Sequence, residues 1–244
     1  MTAVITKIDL KKYKAILFDL DATLIPFDQA EMSREFFACA REYENEGGPK
    51  GFGEAFTYAF AETKKNMGSC LNKEVFDKCF AERLPVADID ALMDDFYTTV
   101  FTKTKKVVRY RGSEKEMLRT LRDCGKTVIC ATNPVFPMSA TVTRMEWAGI
   151  CPDDFDFVTL HYTNTYCKPN PEYFLETLHR FDLLPNEVIM IGNDTLDDLG
   201  ALRAGIRTVL INDYLINRGE IELWETERIT YADLLYCVCD LALS

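Results

Sequence analysis

Short apolar runs rich in β-branched and bulky residues recur along the chain, and each ends at a polar or glycine-containing turn before a helical pattern. These runs are Ala15–Leu20, Thr127–Ala131, Val188–Ile191 and Thr208–Ile211, with Asp156–Leu160 as an additional predicted strand. Amphipathic helical spacing follows at 137–148, 171–181 and 195–204. Strands that alternate with helices predict an α/β fold with a doubly wound parallel sheet. Such sheets bind ligands beyond the carboxyl ends of their strands.

The stretch from residue 24 to residue 111 interrupts this alternation. It contains no convincing strand but four helical segments, Gln29–Glu44, Gly53–Asn66, Lys73–Glu82 and Asp88–Phe101. We therefore predict two domains: a core made of residues 1–23 and 112–244, and an inserted all-helical domain of residues 24–111. A last helix near Tyr231–Leu243 is expected to close the core.

Composition and charge narrow the class of protein. The 244 residues are 48% hydrophobic and 12% aromatic, which is enough to bury a core without disulfides or structural metals. A net charge of −11 is the wrong sign for a nucleic-acid partner. The nine cysteines show no paired C-x-x-C spacing, and no apolar stretch resembles a signal peptide or a membrane span. We expect a cytoplasmic protein, a monomer or homodimer, with no membrane or nucleic-acid partner.

Two carboxylates, Asp19 and Asp21, stand at the end of the first predicted strand. Extended backbone projects side chains at positions i and i+2 toward the same side. A polar strand end with a nearby turn would explain the pair equally well. As a catalytic pair, one carboxylate would be a nucleophile and the other a proton carrier. A cation or a shared proton is then expected, because two close carboxylates cannot both hold free charge cheaply.

Polar groups also follow the second strand and precede a later helix. Thr132 and Asn133 could form a helix-entry turn, or could bind anionic oxygen atoms through the hydroxyl and the backbone N–H groups. Lys168 stands in Cys167-Lys168-Pro169-Asn170-Pro171, and Pro171 suits the first position of a helix. A lysine at such a place is either solvated or available to neutralise a nucleophilic aspartate and a bound phosphoryl group.

An acidic cluster follows the strand Val188–Ile191. A helix that began near Thr195 would place Asp194 and Asp198 on one face, while Asp194 and Asp197 also suit a helix cap and first turn. Together with Asp19 they would form an all-oxygen site of the kind that Mg²⁺ prefers. In that case we expect Asp197 to cap the helix rather than to bind the ion.

All four features occur at predicted strand ends in the order D-x-D, T-N, K-P and acidic cluster. The segments FDLDATL (18–24), ICATN (129–133), KPNPEYF (168–174) and IGNDTLDDLGALRAGI (191–206) resemble the haloacid dehalogenase superfamily, phosphatase type, with a helical cap inserted after the first motif. The resemblance covers most of the chain. The family usually has glycine at the position of Ala22, whose β-carbon disfavours a positive φ.

The resemblance implies a Rossmann-like core, a helical cap and a set of residue roles. Asp19 would be the nucleophile, Asp21 the general acid and base, and Thr132, Asn133 and Lys168 the phosphoryl binders. Asp19, the backbone carbonyl of Asp21 and Asp194 would hold the cofactor Mg²⁺, with Asp198 supporting the metal shell. The substrate would be a small phosphorylated metabolite.

The expected reaction is Mg²⁺-dependent hydrolysis of a phosphate monoester through an aspartyl-phosphate intermediate. Asp21 and the acidic cluster disfavour a true dehalogenase. Two alternatives stay open: a phosphomutase of the β-phosphoglucomutase type, and a catalytically silent phosphate-binding regulatory module. A phosphonate hydrolase would need an imine-forming lysine in the insert, for which Lys50, Lys64 and Lys65 are candidates.

The insert is expected to close over the site as a lid, with hinges near 24–27 and 109–112. Its basic segment 103–111 could attract an anionic substrate but is more typical of a solvated linker. Its aromatic residues Phe52, Phe56, Tyr58 and Phe60 have the helical spacing of a core. The two histidines, His161 and His179, are expected to be structural or exposed residues.

Overall fold

A computed structural model describes residues 8–243 and contains a single six-stranded sheet among them. The strands are β1 (Ala15–Phe18), β2 (Thr127–Cys130), β3 (Phe157–Val158), β4 (Val188–Gly192), β5 (Arg207–Ile211) and β6 (Arg228–Ile229). Their order is β3-β2-β1-β4-β5-β6, and every neighbouring pair is parallel. The predicted doubly wound α/β fold is confirmed, and the short edge strand β6 is an addition to it.

The helices form two sets, one within the predicted insert 24–111 and one after it. Helices α1 (Gln29–Asn45), α2 (Phe52–Thr63), α3 (Asn72–Arg83) and α4 (Ile89–Thr98), with a 3₁₀ segment at Val100–Val107, lie between β1 and β2. The others are α5 (Glu114–Asp123), α6 (Met138–Trp147), α7 (Pro171–His179), α8 (Gly200–Arg203) and α9 (Tyr231–Ala242). The division at residues 24 and 111 stays a prediction, and residues 1–7 and 244 of the predicted core lie outside the described residues.

Strand β1 is central, and all four of its residues are fully buried. Alternating side chains enter two separate apolar clusters, with Ile16 and Phe18 in one and Ala15 and Leu17 in the other, as expected for a strand covered on both faces. The register pairs Phe18 with Cys130 of β2 and with Ile191 of β4. The residues that follow these three strands therefore meet at one edge of the sheet.

The predicted helix at 195–204 is wrong in its first half, because α8 begins at Gly200. Residues 193–198 form a turn held by side-chain oxygens. Asp194 Oδ1 accepts the N–H groups of Leu196 and Asp197, and Asp198 Oδ2 accepts those of Asn193 and Asp194. Side chains of this kind compete with the helical hydrogen-bond pattern, so the expected common helix face does not form.

Aromatic packing organises the inserted helices. Phe52 and Phe56 are buried, as predicted, and the rings of Phe52 and Phe96 lie 4.7 Å apart. Tyr58 and Phe60 are only partly buried. The basic segment 103–111 pairs with α1, since Lys103 contacts Glu42 at 2.7 Å. Within residues 8–243 no helix is both long enough and apolar enough to cross a membrane, and the cysteines form no disulfide.

Of the two histidines, His179 is exposed and His161 is buried against the insert. The His161 ring meets Phe76 of α3 edge to face, and its Nδ1 atom has no hydrogen-bond partner among the described residues. Burial, aided by the nearby positive charge of Lys73 and opposed by Asp90, lowers the pKa of His161 to about 4. The folded protein therefore holds this imidazole neutral.

This burial predicts a pH-dependent contribution to stability. The unfolded chain takes up a proton on His161 near its ordinary pKa of about 6.5, and the folded chain does so only near 4. The free energy of unfolding should therefore fall by up to about 3 kcal/mol between pH 6.5 and 4. Urea unfolding of His161→Gln should show a smaller fall over this range, whereas exposed His179→Gln should behave like the parent. Equal slopes for all three proteins would contradict the assignment.

Candidate active site

The seven predicted site residues line one cavity of about 140 Å³ at the carboxyl edge of the sheet. They are Asp19, Asp21, Thr132, Asn133, Lys168, Asp194 and Asp198. The first two follow β1, the next two follow β2, the last two follow β4, and Lys168 precedes α7. The structure thus brings the whole set together, although the individual roles stay predictions.

Lys168 joins two of the carboxylates at the floor of this cavity. Its Nζ lies 2.8 Å from Asp19 Oδ1 and 2.7 Å from Asp198 Oδ1. The side chain is only 1% exposed, so the ammonium is held without the solvent that surrounds an ordinary surface lysine. Buried charges of this kind persist only when they are paired and hydrogen-bonded.

The three groups carry one positive charge for two carboxylates. Burial raises the pKa of Asp19 to about 8; Lys168 opposes this rise, and the negative charges of Asp198 and Asp21 add to it. Burial also disfavours the charged form of Lys168. The negative charges of Asp19 and Asp198 outweigh this effect of burial and raise the lysine pKa well above its usual value. The site therefore holds the ammonium firmly and retains an unmet demand for positive charge near Asp19.

Asp21 lies beside a second buried cation. Arg144 of α6 donates to Asp21 Oδ2, and Phe136 stacks against the guanidinium at 4.4 Å. The other oxygen, Asp21 Oδ1, is buried and has no hydrogen-bond partner within residues 8–243.

Ala22 has a φ of 60°, which is the left-handed conformation that the usual glycine would adopt more easily. The chain thus keeps the left-handed loop despite the β-carbon.

Thr132 and Asn133 are fixed by contacts around β2. The Thr132 carbonyl accepts hydrogen bonds from Thr159 and Tyr173, so the turn is anchored from below. The Asn133 amide donates to Asp197 Oδ2 at 3.1 Å. Both residues face the same cavity as Lys168, as an anion-binding role requires.

Three further charged residues line the cavity and were not among the seven: Lys64, Asp197 and Arg218. Asp197 does not cap a helix; it accepts from Asn133, from Lys64 of the insert at 3.0 Å and from Arg218 at 2.9 Å. Burial favours the neutral form of Asp197, but the positive charges of Lys64 and Arg218 outweigh this effect and lower its pKa. Of the three candidate insert lysines only Lys64 lines the cavity. Nothing in the local sequence marks Arg218 or Arg144, because each reaches the site from a distant segment.

The donor set matches the chemistry of Mg²⁺, since every candidate ligand is an oxygen. Within the described part of the chain, however, no three acidic, histidine or cysteine side chains already group around a common point. Arg218 Nε lies 2.5 Å from Asp194 Oδ2, so a guanidinium stands against the carboxylate that would bind the ion. This side chain is 47% exposed, which leaves it free to yield to a metal ion. The residues fit the ion once Arg218 moves aside.

Comparison with known proteins identifies the family of the chain. A family model described as haloacid dehalogenase-like hydrolase matches residues 13–205, most of the chain. The chain belongs to the haloacid dehalogenase-like hydrolases. The expected enzyme class is thereby confirmed, and the four motif segments lie inside the matched region except for Ile206, the last residue of the fourth.

Two curated relatives are similar over most of their length. A glyceraldehyde 3-phosphate phosphatase of Pyrococcus furiosus is 27% identical over 209 residues, which cover 82% of this chain and 81% of the relative. A ribulose-1,5-bisphosphate 5-phosphatase of Halopiger xanaduensis is 26% identical and covers 81% of this chain and 84% of its own. Both relatives are phosphatases.

Solved structures show the same fold at lower identity. A 2-haloacid dehalogenase from Pseudomonas syringae pv. Tomato superposes with a TM-score of 0.59, 22% identity and coverage of 93% of this chain and 98% of its own. The hydrolase YfnB of Bacillus subtilis, solved with magnesium, gives a TM-score of 0.54, 20% identity and coverage of 92% and 97%. At this identity the similarity shows the fold alone.

Gly192, the last residue of β4, shows how tightly the acidic turn is built. A β-carbon added there would lie 2.2 Å from Asp198 Oδ2, the oxygen that accepts the N–H groups of Asn193 and Asp194. Gly192→Ala should displace Asp198, weaken its contact with Lys168 and cost about 1–3 kcal/mol of stability. In α2, a β-carbon on Gly53 would meet Ala40 at an ordinary 3.4 Å.

Thermal unfolding of the two variants checks this prediction. Gly53→Ala should unfold at or above the parent temperature, because alanine favours a helix, and Gly192→Ala should unfold several degrees lower. Parent-like unfolding of Gly192→Ala would show that the turn adapts and that the close approach is not a constraint.

Proposed function

We propose that the chain is a Mg²⁺-dependent phosphatase that hydrolyses a small phosphate monoester through an aspartyl-phosphate intermediate. The observation that carries the proposal is the buried Asp19–Lys168–Asp198 arrangement in a cavity that also holds Asp21 and Asp194. The phosphatase activity of both curated relatives supports it.

Asp19 is the proposed nucleophile, and Lys168 positions it. The ammonium binds Asp19 Oδ1, while Thr23 lies 3.4 Å from Oδ2, the oxygen that has no cationic partner in the described residues. An anionic carboxylate that attacks a phosphoryl group meets repulsion, so positioning and cationic shielding supply most of the catalysis. Lys168, with the Thr132 hydroxyl and Asn133, would bind the phosphoryl oxygens.

Asp21 is the proposed general acid and base. Its unpartnered Oδ1 can carry a proton to the departing oxygen, and the carboxylate can later accept one from the attacking water. Arg144 holds the other oxygen and so fixes the orientation of the carboxylate. The two acids thus have different roles. Lys168 positions Asp19 for the attack, and Asp21 transfers protons.

Asp19, Asp194 and the backbone carbonyl of Asp21 would hold Mg²⁺, with Asp198 supporting the shell. When bound, the ion supplies the positive charge that Asp19 lacks and neutralises the phosphoryl oxygens. The Asp198 carboxylate acts indirectly, because its oxygens are occupied by Lys168 and by two backbone N–H groups.

We propose that residues 24–111 form a cap that opens and closes over the core formed by 1–23 and 112–244. The two connecting segments lie side by side, since the Arg109 N–H donates to the Pro26 carbonyl at 2.7 Å. Lys64 crosses from α2 to Asp197 of the core and holds the two parts together over the site. Adjacent connections suit a hinged lid, whose opening would also break the hydrogen bonds of Asn72 to the Pro134 and Tyr166 carbonyls and of Thr143 to the Tyr97 carbonyl.

The nucleophile assignment predicts the behaviour of Asp19→Asn. The amide cannot form the acyl phosphate, so Mg²⁺-dependent release of phosphate from an aryl phosphate should fall by about 10³-fold or more. The fold should persist, because a neutral side chain avoids the cost of burying the Asp19 charge. Asp123→Asn, at an exposed helix end, should keep parent activity. More than a tenth of parent activity in Asp19→Asn would refute the role.

The raised pKa of Asp19 predicts that Mg²⁺ binding depends on pH. Below a pKa of about 8 the empty site holds a proton on Asp19, and the ion must displace it. The affinity should therefore rise about tenfold per pH unit from pH 6 to 7.5 and level off above 8. Calorimetric titration at pH 7 in buffers of different ionisation enthalpy should show close to one proton released. Binding that is independent of pH would contradict the prediction.

A further inference from the structure

A second cavity, of about 290 Å³, adjoins the catalytic one beneath the inserted helices. Asp21, Gln29, Phe60 and Phe136 line both cavities, so the two lie side by side with Asp21 at their shared border. The smaller part contains the charged groups that suit a phosphoryl group. The larger part is where the rest of a phosphate monoester would lie.

The walls of the larger cavity are aromatic. Eight of its fourteen lining residues are phenylalanine or tyrosine, and they come from both sides of the junction between insert and core. Phe36, Phe56 and Phe101 come from the insert, and Phe136 comes from the turn after β2. An engineered apolar cavity of about 150 Å³ in another protein binds benzene, so this space accommodates at least one ring. Besides Tyr97, the only neutral polar side chains of this lining among the described residues are Gln29, Ser33 and Thr57, so a polyhydroxylated sugar would find few partners for its hydroxyls.

Two features distinguish this cavity from a packing defect of the cap. Phe37 at its rim is 43% exposed, and Phe36, Phe60 and Phe136 are only partly buried, so the aromatic surface is open to a ligand. Tyr97 is 1% exposed and lines the cavity, yet its hydroxyl has no hydrogen-bond partner in residues 8–243. Buried hydroxyls normally find a partner, and one on the substrate would satisfy this one.

We propose that the substrate is the phosphate monoester of an aromatic alcohol that carries one hydrogen-bonding substituent, rather than a polyhydroxylated sugar phosphate. This inference rests on the phosphatase function proposed above and assigns its substrate class. The aromatic part occupies the larger cavity, the substituent pairs with Tyr97, and the bridging oxygen lies beside Asp21. Asp21 protonates that oxygen as the P–O bond breaks, so that the alcohol departs and the phosphoryl group passes to Asp19. Asp21 then takes a proton from the water that hydrolyses the acyl phosphate, which releases inorganic phosphate and regenerates Asp19.

The test compares primary-alcohol esters, so that leaving-group reactivity is similar. Benzyl phosphate should have a kcat/KM about 10- to 100-fold higher than glycerol 3-phosphate, the gain expected from burying one ring. Phe37→Ser should reduce this preference several-fold, and Tyr236→Ser, at an exposed tyrosine of α9, should leave it unchanged. Equal or higher values for glycerol 3-phosphate would overturn the substrate class and leave the phosphatase assignment standing.

Tyr97 is tested with the three hydroxybenzyl phosphate isomers. At least one isomer should exceed benzyl phosphate in kcat/KM about 5- to 10-fold, and in Tyr97→Phe the ratio of the two kcat/KM values should fall to about one. If no isomer gains, the role of Tyr97 is wrong.

A binding measurement separates the two proposals. Benzylphosphonate, which is not hydrolysed, should bind the Mg²⁺-loaded protein at least tenfold more tightly than 2,3-dihydroxypropylphosphonate. If benzylphosphonate binds more tightly but no ester releases phosphate, the proposed phosphatase function is wrong and the proposed aromatic ligand site stands. Equal binding of the two phosphonates would overturn the ligand site itself.

Discussion

The site depends on one buried ammonium that holds two carboxylates from different strand ends. Lys168 contacts Asp19 after β1 and Asp198 in the turn after β4, and its side chain is 1% exposed. Removing the Lys168 ammonium would leave both carboxylates without a counter-charge in the core. The same arrangement leaves the group one positive charge short, which is why burial and like charge raise the pKa of Asp19. The need for a further positive charge, which the proposed Mg²⁺ would meet, is thus a consequence of the pairing that holds the site together.

The insert completes this site with chemistry of a different kind. The core presents charge at the edge of the sheet, and the inserted helices add an aromatic space that begins at Asp21. Arg144 connects the charged cavity with the aromatic space, because it pairs with Asp21 and lies over the ring of Phe136. In the proposed function, the phosphoryl chemistry is therefore separated from the recognition of the leaving group. A change of cap residues could alter the substrate without disturbing Lys168.

Sequence patterns predict the sheet well because β1 and β4 are buried on both faces and so appear as unbroken apolar runs. Their ends locate Asp19 and Asp194 without further information. The start of the predicted helix 195–204 is wrong because helical spacing gives no sign that the oxygens of Asp194 and Asp198 accept the backbone N–H groups of this turn. Arg144 and Arg218 escaped prediction for a related reason, since a long cationic side chain far along the chain gives no local signal. The aromatic cavity could not be predicted either, because the helical spacing of aromatic residues is the same in a packed core and in one that contains a cavity.

The central claim is that this buried arrangement makes Asp19 the residue that receives the phosphoryl group. Rapid quenching during turnover of benzyl phosphate with Mg²⁺, reduction by borohydride and peptide mass spectrometry would identify the carboxylate that forms an acyl phosphate. The account predicts conversion of Asp19 to homoserine, dependent on both substrate and Mg²⁺, with Asp21, Asp194 and Asp198 unchanged. Homoserine at any of those three positions, or turnover with no reducible acyl phosphate, would contradict it.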